Sequence, residues 1–567
     1  MKTRILLIVL LALIGLSIKV TAQIPTWQWI KTAECSSNTA YGEGYNLASD
    51  FAGNVYLTGV YSNIITFGSD TLIDTGAGSV YLVKYNSQGD VIWAKTSVSS
   101  GTGVGVAYGI ATDPSGNIFI TGWYGNAPVS FGTNTLVNLN GPSIFIVKYD
   151  SAGNVLWAKG IGSSLTNNDG YGYSAATDAS GNCYITGYFQ DSALTFGIHT
   201  IYNFGTTNST DIFIAKYDPN GNALWAKDAG GTGDDSGYGI VSDSIGTIYL
   251  TGYTGSTIAH FGQDSIYAPW GGANFFLVKY DSSGNVIWVK NSKANLSSTG
   301  VIGYNVAIDQ QENVFAIGYF TQDTIQFGTD TLIFSGNIDQ QNVFIVKYDS
   351  SGNAIWAKNG YGHGSSVITD SLGNAYISGG MQASDSLDIF DTVTLHIPIG
   401  SHEPMFIVKF NPAGHALFGL AMEGGGDDQN ALAKGSSGSI FVGGDLGNMS
   451  PFIWGNDTLI LTGEEAPFVA KLVFNNIETT THEIKLQSSI LLSPNPFTTT
   501  TTLTLQGTYH NPSLFIYNLL GQEIKSINAG TNTQVTITKD GLASGMYFYK
   551  LIDENKEVIG IGKMVIE

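Results

Sequence analysis

The chain has 567 residues, with 24 basic and 45 acidic side chains, a formal charge of −21 and a charged fraction of only 12%. Low charge beside 12% aromatic residues excludes a disordered chain, which would be charge-rich and aromatic-poor. The acidity excludes a nucleic-acid partner, because phosphate binding needs a basic stripe.

At the N-terminus, Lys2 and Arg4 precede a mostly aliphatic run from Ile5 to Ile18, and Val20-Thr21-Ala22 supplies small residues. This is the pattern of a secretory signal over 1–22, cut between Ala22 and Gln23. The run is short for a bilayer span, and nothing later approaches about 18 consecutive apolar residues, so no transmembrane span is expected in the mature chain. Arg4 is the only arginine, and its loss leaves no guanidinium for bidentate phosphate or carboxylate recognition. Cys35 and Cys183 are too few for a disulfide framework. Cys183 aligns with Val55, Ile118, Ile248 and Ile440 in the repeat below and reads as a small buried apolar residue.

Residues 23–475 are a repeat array. Phe145-Ile-Val-Lys-Tyr149, Asp150-Ser-Ala-Gly-Asn154 and Val155-Leu-Trp-Ala-Lys159 recur at 81–95, 213–227, 276–290 and 344–358, and degenerate at 406–419. A second element, Asp113-Pro-Ser-Gly-Asn117 followed by Ile118-Phe-Ile-Thr-Gly122, precedes each copy. Runs rich in Val, Ile, Tyr and Phe, separated by Asp-x-x-Gly-Asn, predict four strands per unit, a to d, joined by tight turns. A fixed period of short strands is the signature of a β-propeller. Seven c strands are marked by Lys84, Lys148, Lys216, Lys279, Lys347, Lys409 and Lys471, but no d strand follows the last. Trp27-Gln-Trp-Ile-Lys31 supplies the missing one, which predicts an all-β, seven-bladed propeller closed by the N-terminal strand. Thirteen of the fifteen lysines between residues 24 and 475 occupy two repeated positions. Each c-strand lysine is expected to face its hairpin's tryptophan as a cation–π pair. The two elements together resemble the SBBP β-propeller repeat of bacterial secreted proteins. That resemblance implies a fold and no common reaction.

After a polar linker at 476–489, residues 490–567 predict a small antiparallel β-sandwich. Leu492-Ser-Pro-Asn-Pro-Phe497, Asn518-Leu-Leu-Gly-Gln522, Gly545-Met-Tyr547 and the terminal Lys563-Met-Val-Ile-Glu567 fall in order. They resemble the type A C-terminal sorting domain of the type IX secretion system of Bacteroidota. The resemblance implies handling by that machinery, and release from the cell or attachment to its surface.

Catalytic patterns are absent from the sequence. The eight histidines show no His-x-His or HExxH spacing, and there is no Gly-x-Ser-x-Gly elbow or phosphate loop. Asp113 and its equivalents open turns, where an Asx side chain bonds its own backbone. The tandem pairs Asp234-Asp235 and Asp427-Asp428, in glycine-rich d-to-a connections, are candidate calcium ligands weighed against solvated turn carboxylates. Variable b-to-c and d-to-a connections share one face, where binding is expected. Trp123, Tyr188, Tyr253 and Tyr319, with Tyr61 one place later, end their b strands, with packing beneath an inserted Phe-Gly-x-Asp-Thr-Leu hairpin as their expected role. Trp123 and the non-repeat Trp270 are the candidate ligand contacts. The expectation is a secreted, non-catalytic propeller that binds a glycan or protein, set against a glycan-active hydrolase or lyase and a structural surface component.

Overall fold

The computed structural model describes residues 23–567 except 37–39, 100, 138–140, 163–169, 206–208, 269–271, 295–299, 322–323, 335–340, 382–386, 392, 397–403, 423–429, 448–451, 455–456, 460, 462–464, 477–489, 506–510, 518–522, 531–532 and 555–557. The signal segment with Ala22, the linker after Asn476, Trp270, Asp427 and Asp428 therefore lie outside the described residues. The architecture is all-β. Among the described residues only Ser436–Gly438 forms a helical turn, and no helix is long and apolar enough to cross a membrane. Pro25–Asn475 forms one compact unit, and the chain from Asn476 belongs to a second.

Seven four-stranded antiparallel sets build the larger unit. Gly42–Ser49, Val55–Tyr61, Ser79–Tyr85 and Val91–Thr96 form the first, in the order a-b-c-d. The same order recurs from a strands beginning at Val104, Gly170, Asp235, Val301 and His363. In the seventh, Ala431–Lys434, Ile440–Leu446 and Ala466–Asn476 are a, b and c, and Gln23–Thr32 takes the d position. The b and c strands of the first set are buried at every residue, as continuous apolar runs demand, whereas its d strand is partly exposed. The a-to-b turns follow Asx chemistry. Asp113 Oδ1 accepts the Asn117 N–H at 2.9 Å, and Gly116 supplies a φ of +77°.

Adjacent sets are clamped by a repeated device. Lys84 Nζ and Trp93 Nε1 both donate to the Ser151 carbonyl of the following c-to-d turn, at 3.1 and 3.3 Å. Lys148 and Trp157 share Pro219 in the same way, and Lys216 and Trp225 share Ser282. Each lysine does pair across the hairpin with its tryptophan, Lys84 with Trp93 and Lys148 with Trp157. The expected cation–π partner is nevertheless wrong. The ammonium groups lie over the second residue of the b strand: Lys84 over Tyr56 at 5.2 Å, Lys148 over Phe119 at 4.8 Å. The reason is desolvation, since a buried ammonium must reach acceptors. Besides the turn carbonyl, Lys148 finds Asp113 at 3.5 Å, and Lys216, Lys347 and Lys409 find Asp178, Asp309 and Asp370 at 3.7 Å.

The inserted hairpins cover the c strands together with residues at the ends of the b strands, Tyr61, Tyr124, Phe189 and Phe320. Phe67 packs on Tyr81 at 5.0 Å, Phe196 on Phe213 at 5.4 Å and Phe327 on Phe344 at 5.1 Å. Cys183 is wholly buried, and both cysteines are free.

In the second unit, a three-stranded and a four-stranded antiparallel sheet enclose Leu503, Leu514, Ile537, Leu551 and Met564. Phe497 of the Ser-Pro-Asn-Pro-Phe stretch is buried, and its N–H and C=O bond the terminal strand through Val565 and Glu567.

Candidate functional site

The seven a strands line a common cavity of about 460 Å³. Five contribute a tyrosine to it: Tyr45, Tyr108, Tyr173, Tyr238 and Tyr304. Ser365 and Asn430 occupy the corresponding places in the sixth and seventh sets. Successive rings touch, with centroids 4.8, 5.4, 4.9 and 5.1 Å apart from Tyr45 through Tyr304. The result is a half-buried aromatic belt.

A backbone irregularity creates the belt. The pairing of a with b slips between Gly44 and Asn46, Gly172 and Ser174, Gly237 and Gly239, and Gly303 and Asn305. In the second set the pairing passes from Ala107 to Gly109. Each tyrosine is thus the extra residue of a β-bulge, which re-aims a side chain that strict alternation would place elsewhere. The b-strand glycine, which follows a threonine in four of these five sets, accommodates the bulge. A Cβ on Gly59, Gly122, Gly187, Gly252 or Gly318 would stand 1.8–2.0 Å from a carbonyl oxygen of the neighbouring a strand.

Behind the belt lies a second tier. Tyr188 packs on Tyr173 at 5.7 Å, Tyr253 on Tyr238 at 5.9 Å and Tyr319 on Tyr304 at 5.7 Å. Trp123 stands edge-on to Tyr171 at 5.2 Å. Tyr188, Tyr253 and Tyr319, expected beneath the hairpins, therefore buttress the belt, whereas Tyr61 packs with the hairpin residues Ile65, Phe67 and Leu72 as expected. The belt itself escaped the sequence reading, although a tyrosine beside glycine recurs at 45, 108, 173, 238 and 304.

The belt's electrostatics are one-sided. The Tyr45 hydroxyl donates to Glu43 Oε2. Burial, and then the Glu43 charge, drives the Tyr45 pKa far above its usual value. Burial likewise raises Tyr108, Tyr173 and Tyr238. These phenols stay neutral at physiological pH. A second cavity of about 630 Å³ shares Asn46, Ser174, Asn305 and Ser366 with the first and extends to the a-to-b turns. Lys434 lines it, and burial lowers the pKa of its ammonium against the opposing pull of Asp370 and Asp309.

The tandem acids diverge. Asp234 is exposed and accepts the Thr210 N–H, whereas Asp235 is fully buried and accepts the Gly231 N–H and the Ser256 hydroxyl. The reading of both as solvated turn carboxylates thus fails at Asp235. Among the described residues no group of three or more His, Cys, Asp or Glu is arranged to hold a metal ion.

Residues 492–567 match the secretion system C-terminal sorting domain family. The chain is a secreted or surface-attached protein, exported through type IX secretion. Over 499 residues, 72% of this chain, it is 25% identical to an uncharacterized WD repeat-containing protein, L264, of Acanthamoeba polyphaga mimivirus. Over 166 residues, 28% of this chain, it is 26% identical to the regulatory protein FlaEY of Caulobacter vibrioides. It spans 35% and 17% of the lengths of those two relatives. A crystal structure of a protein of unknown function from Dyadobacter fermentans is similar over 80% of this chain and 99% of its own, with 9% identity and a TM-score of 0.37.

Proposed function

We propose that this is a seven-bladed, SBBP-type propeller closed by its N-terminal strand, which binds a glycan or protein outside the cell without catalysing a reaction. Closure is supported by the place of Gln23–Thr32 beside Ala466–Asn476 and by the neighbouring a strands Gly42–Ser49 and Ala431–Lys434. The observation that carries the binding reading is the belt of five bulged tyrosines. Five sets spend a backbone irregularity to aim an aromatic side chain into a shared cavity, where neutral hydroxyls and rings suit recognition more than chemistry. Acid–base catalysis needs a group poised near working pH, and the phenols of Tyr45, Tyr108, Tyr173 and Tyr238 are held well away from it. No resident calcium enters this reading.

A glycan array and a panel of extracellular proteins, probed with the wild type and a Tyr173→Ala/Tyr238→Ala variant, test it. Partners retained by the wild type and lost by the variant are expected. Release of reducing ends from a polysaccharide, abolished by one Asp→Asn change, would overturn the non-catalytic assignment.

A further inference from the structure

The charge around the belt narrows the ligand. The charges that raise the Tyr45 and Tyr108 phenols are carboxylates: Glu43 for both, Asp445 for Tyr45. Glu43 stands two residues before the bulged Tyr45 and accepts its hydroxyl. Asp234 and Asp235 extend the same sign to Tyr253 in the second tier. Residues 24–475 hold 15 lysines against 37 acids and no arginine. Six of the seven c-strand lysines are committed to turn carbonyls and Lys409 pairs with Asp370, while Lys434 lines the cavity that reaches the a-to-b turns.

Aromatic rings present negative faces to a cation, and a carboxylate beside them adds a full charge in a partly desolvated setting. Neutral sugars also stack on aromatic rings and can donate hydroxyls to a carboxylate, but only a cation gains from both its full charge and the negative ring faces. We infer that the belt takes an alkylammonium cation, either the lysine side chain of an extracellular polypeptide or a free polyamine. The ammonium sits among Tyr45, Tyr108, Tyr173 and Tyr238, with Glu43 as its counter-charge. The inference rests on the binding role proposed above.

Calorimetric titration of the exported protein with tetramethylammonium, spermidine, a capped Gly-Lys-Gly peptide and a neutral cello-oligosaccharide tests it. Saturable binding of the cations is expected. Tyr173→Leu and Tyr238→Leu should each weaken it about fivefold, while Tyr173→Phe, which keeps the ring, leaves it within about twofold. Glu43→Gln should weaken it about threefold and flatten its salt dependence. Thermal melts matching the wild type keep the Leu variants interpretable, and the Phe variant carries the same contrast without a cavity. Tighter binding of the peptide assigns a polypeptide partner, and tighter binding of spermidine assigns a free polyamine. Sugar binding without cation binding, or equal losses for Phe and Leu, would overturn the inference and leave the binding role standing. Binding by none of these probes overturns the inference, while the array of natural partners decides the broader role separately.

Discussion

Trp29 and Lys471 donate to one acceptor, the Ser87 carbonyl, at 3.1 and 3.0 Å. The pair repeats what Trp93 and Lys84 do at Ser151 and Trp157 and Lys148 do at Pro219. In those pairs both residues come from one hairpin, whereas Trp29 and Lys471 come from opposite ends of the repeat array. The first strand is therefore a structural member of the last sheet, not a leader to the first.

Trp29→Ala tests that membership. The side chain is 8% exposed and packs on Phe441 at 5.9 Å. Truncation of so buried an aromatic costs about 3–5 kcal/mol, read as a fall in the denaturant midpoint. A loss below about 1 kcal/mol would mean that the strand is dispensable.

The ion pair of Asp113 and Lys148 predicts a sharper signature. Both side chains are under 5% exposed, and the carboxylate also holds the Asn117 backbone and side-chain N–H groups. Lys148→Met strands a buried carboxylate and should cost about 3–5 kcal/mol. Asp113→Asn retains an Asx acceptor but strands the ammonium. The double variant should be less destabilised than the two single losses combined, by more than about 1 kcal/mol. Simple additivity in chemical unfolding would contradict direct coupling.

Strand order and turn positions were legible because each depends on residue types with few substitutes. Asp-x-x-Gly-Asn supplies an Asx acceptor and a positive φ, and Phe-Ile-Val-Lys-Tyr is a strand covered on both faces. The expected position of Cys183 in the core followed from the same alignment. Ring contacts between sheets were not legible. Alternation predicts that Lys148 opposes Trp157, but not that its ammonium crosses to Phe119 and Asp113. The belt stayed hidden for a related reason. A tyrosine beside glycine is ordinary strand composition, and only the slipped pairing at Gly44, Gly172, Gly237 and Gly303 turns its ring into the cavity.

The junction of Asp211 and Asp235 should make stability pH-dependent. Both residues are fully buried, and a Cβ on Gly230 would meet Asp211 Oδ1 at 2.4 Å and Asp235 Oδ2 at 2.8 Å. Burial pushes the Asp211 carboxyl up to about 7, the Phe204 N–H opposes the rise, and the Asp235 charge adds to it. The unfolded chain titrates near about 3.9. Between those values the folded state holds the extra proton, so stability is full below about pH 4 and falls as pH rises through about 7. Asp211→Asn, which needs no proton, should stabilise the protein at pH 8 by a few kcal/mol and change little at pH 4. An equal effect at both pH values would place the raised carboxyl elsewhere.

The Thr-Gly motif links the fold to the site, and Gly252→Ala isolates the link. The Thr251 hydroxyl ties the b strand to the Phe276 carbonyl at 2.8 Å, while the absent side chain at Gly252 leaves room for the Ser236 carbonyl, 2.0 Å from where a Cβ would stand. That carbonyl belongs to the strand that bulges at Tyr238. A methyl group must push the a strand away or force the slip out of the pairing. The expected outcome is a loss of about 3 kcal/mol or more, with altered near-ultraviolet circular dichroism from Tyr238 and its neighbours Tyr173 and Tyr304. Gly246→Ala is the matched control, since it strains a turn of the same sheet at a φ of +89° without touching the bulge. Equal loss of the aromatic signal in both variants would show that the signal follows global stability and not the bulge, whereas loss confined to Gly252→Ala ties the glycine to the aim of the ring.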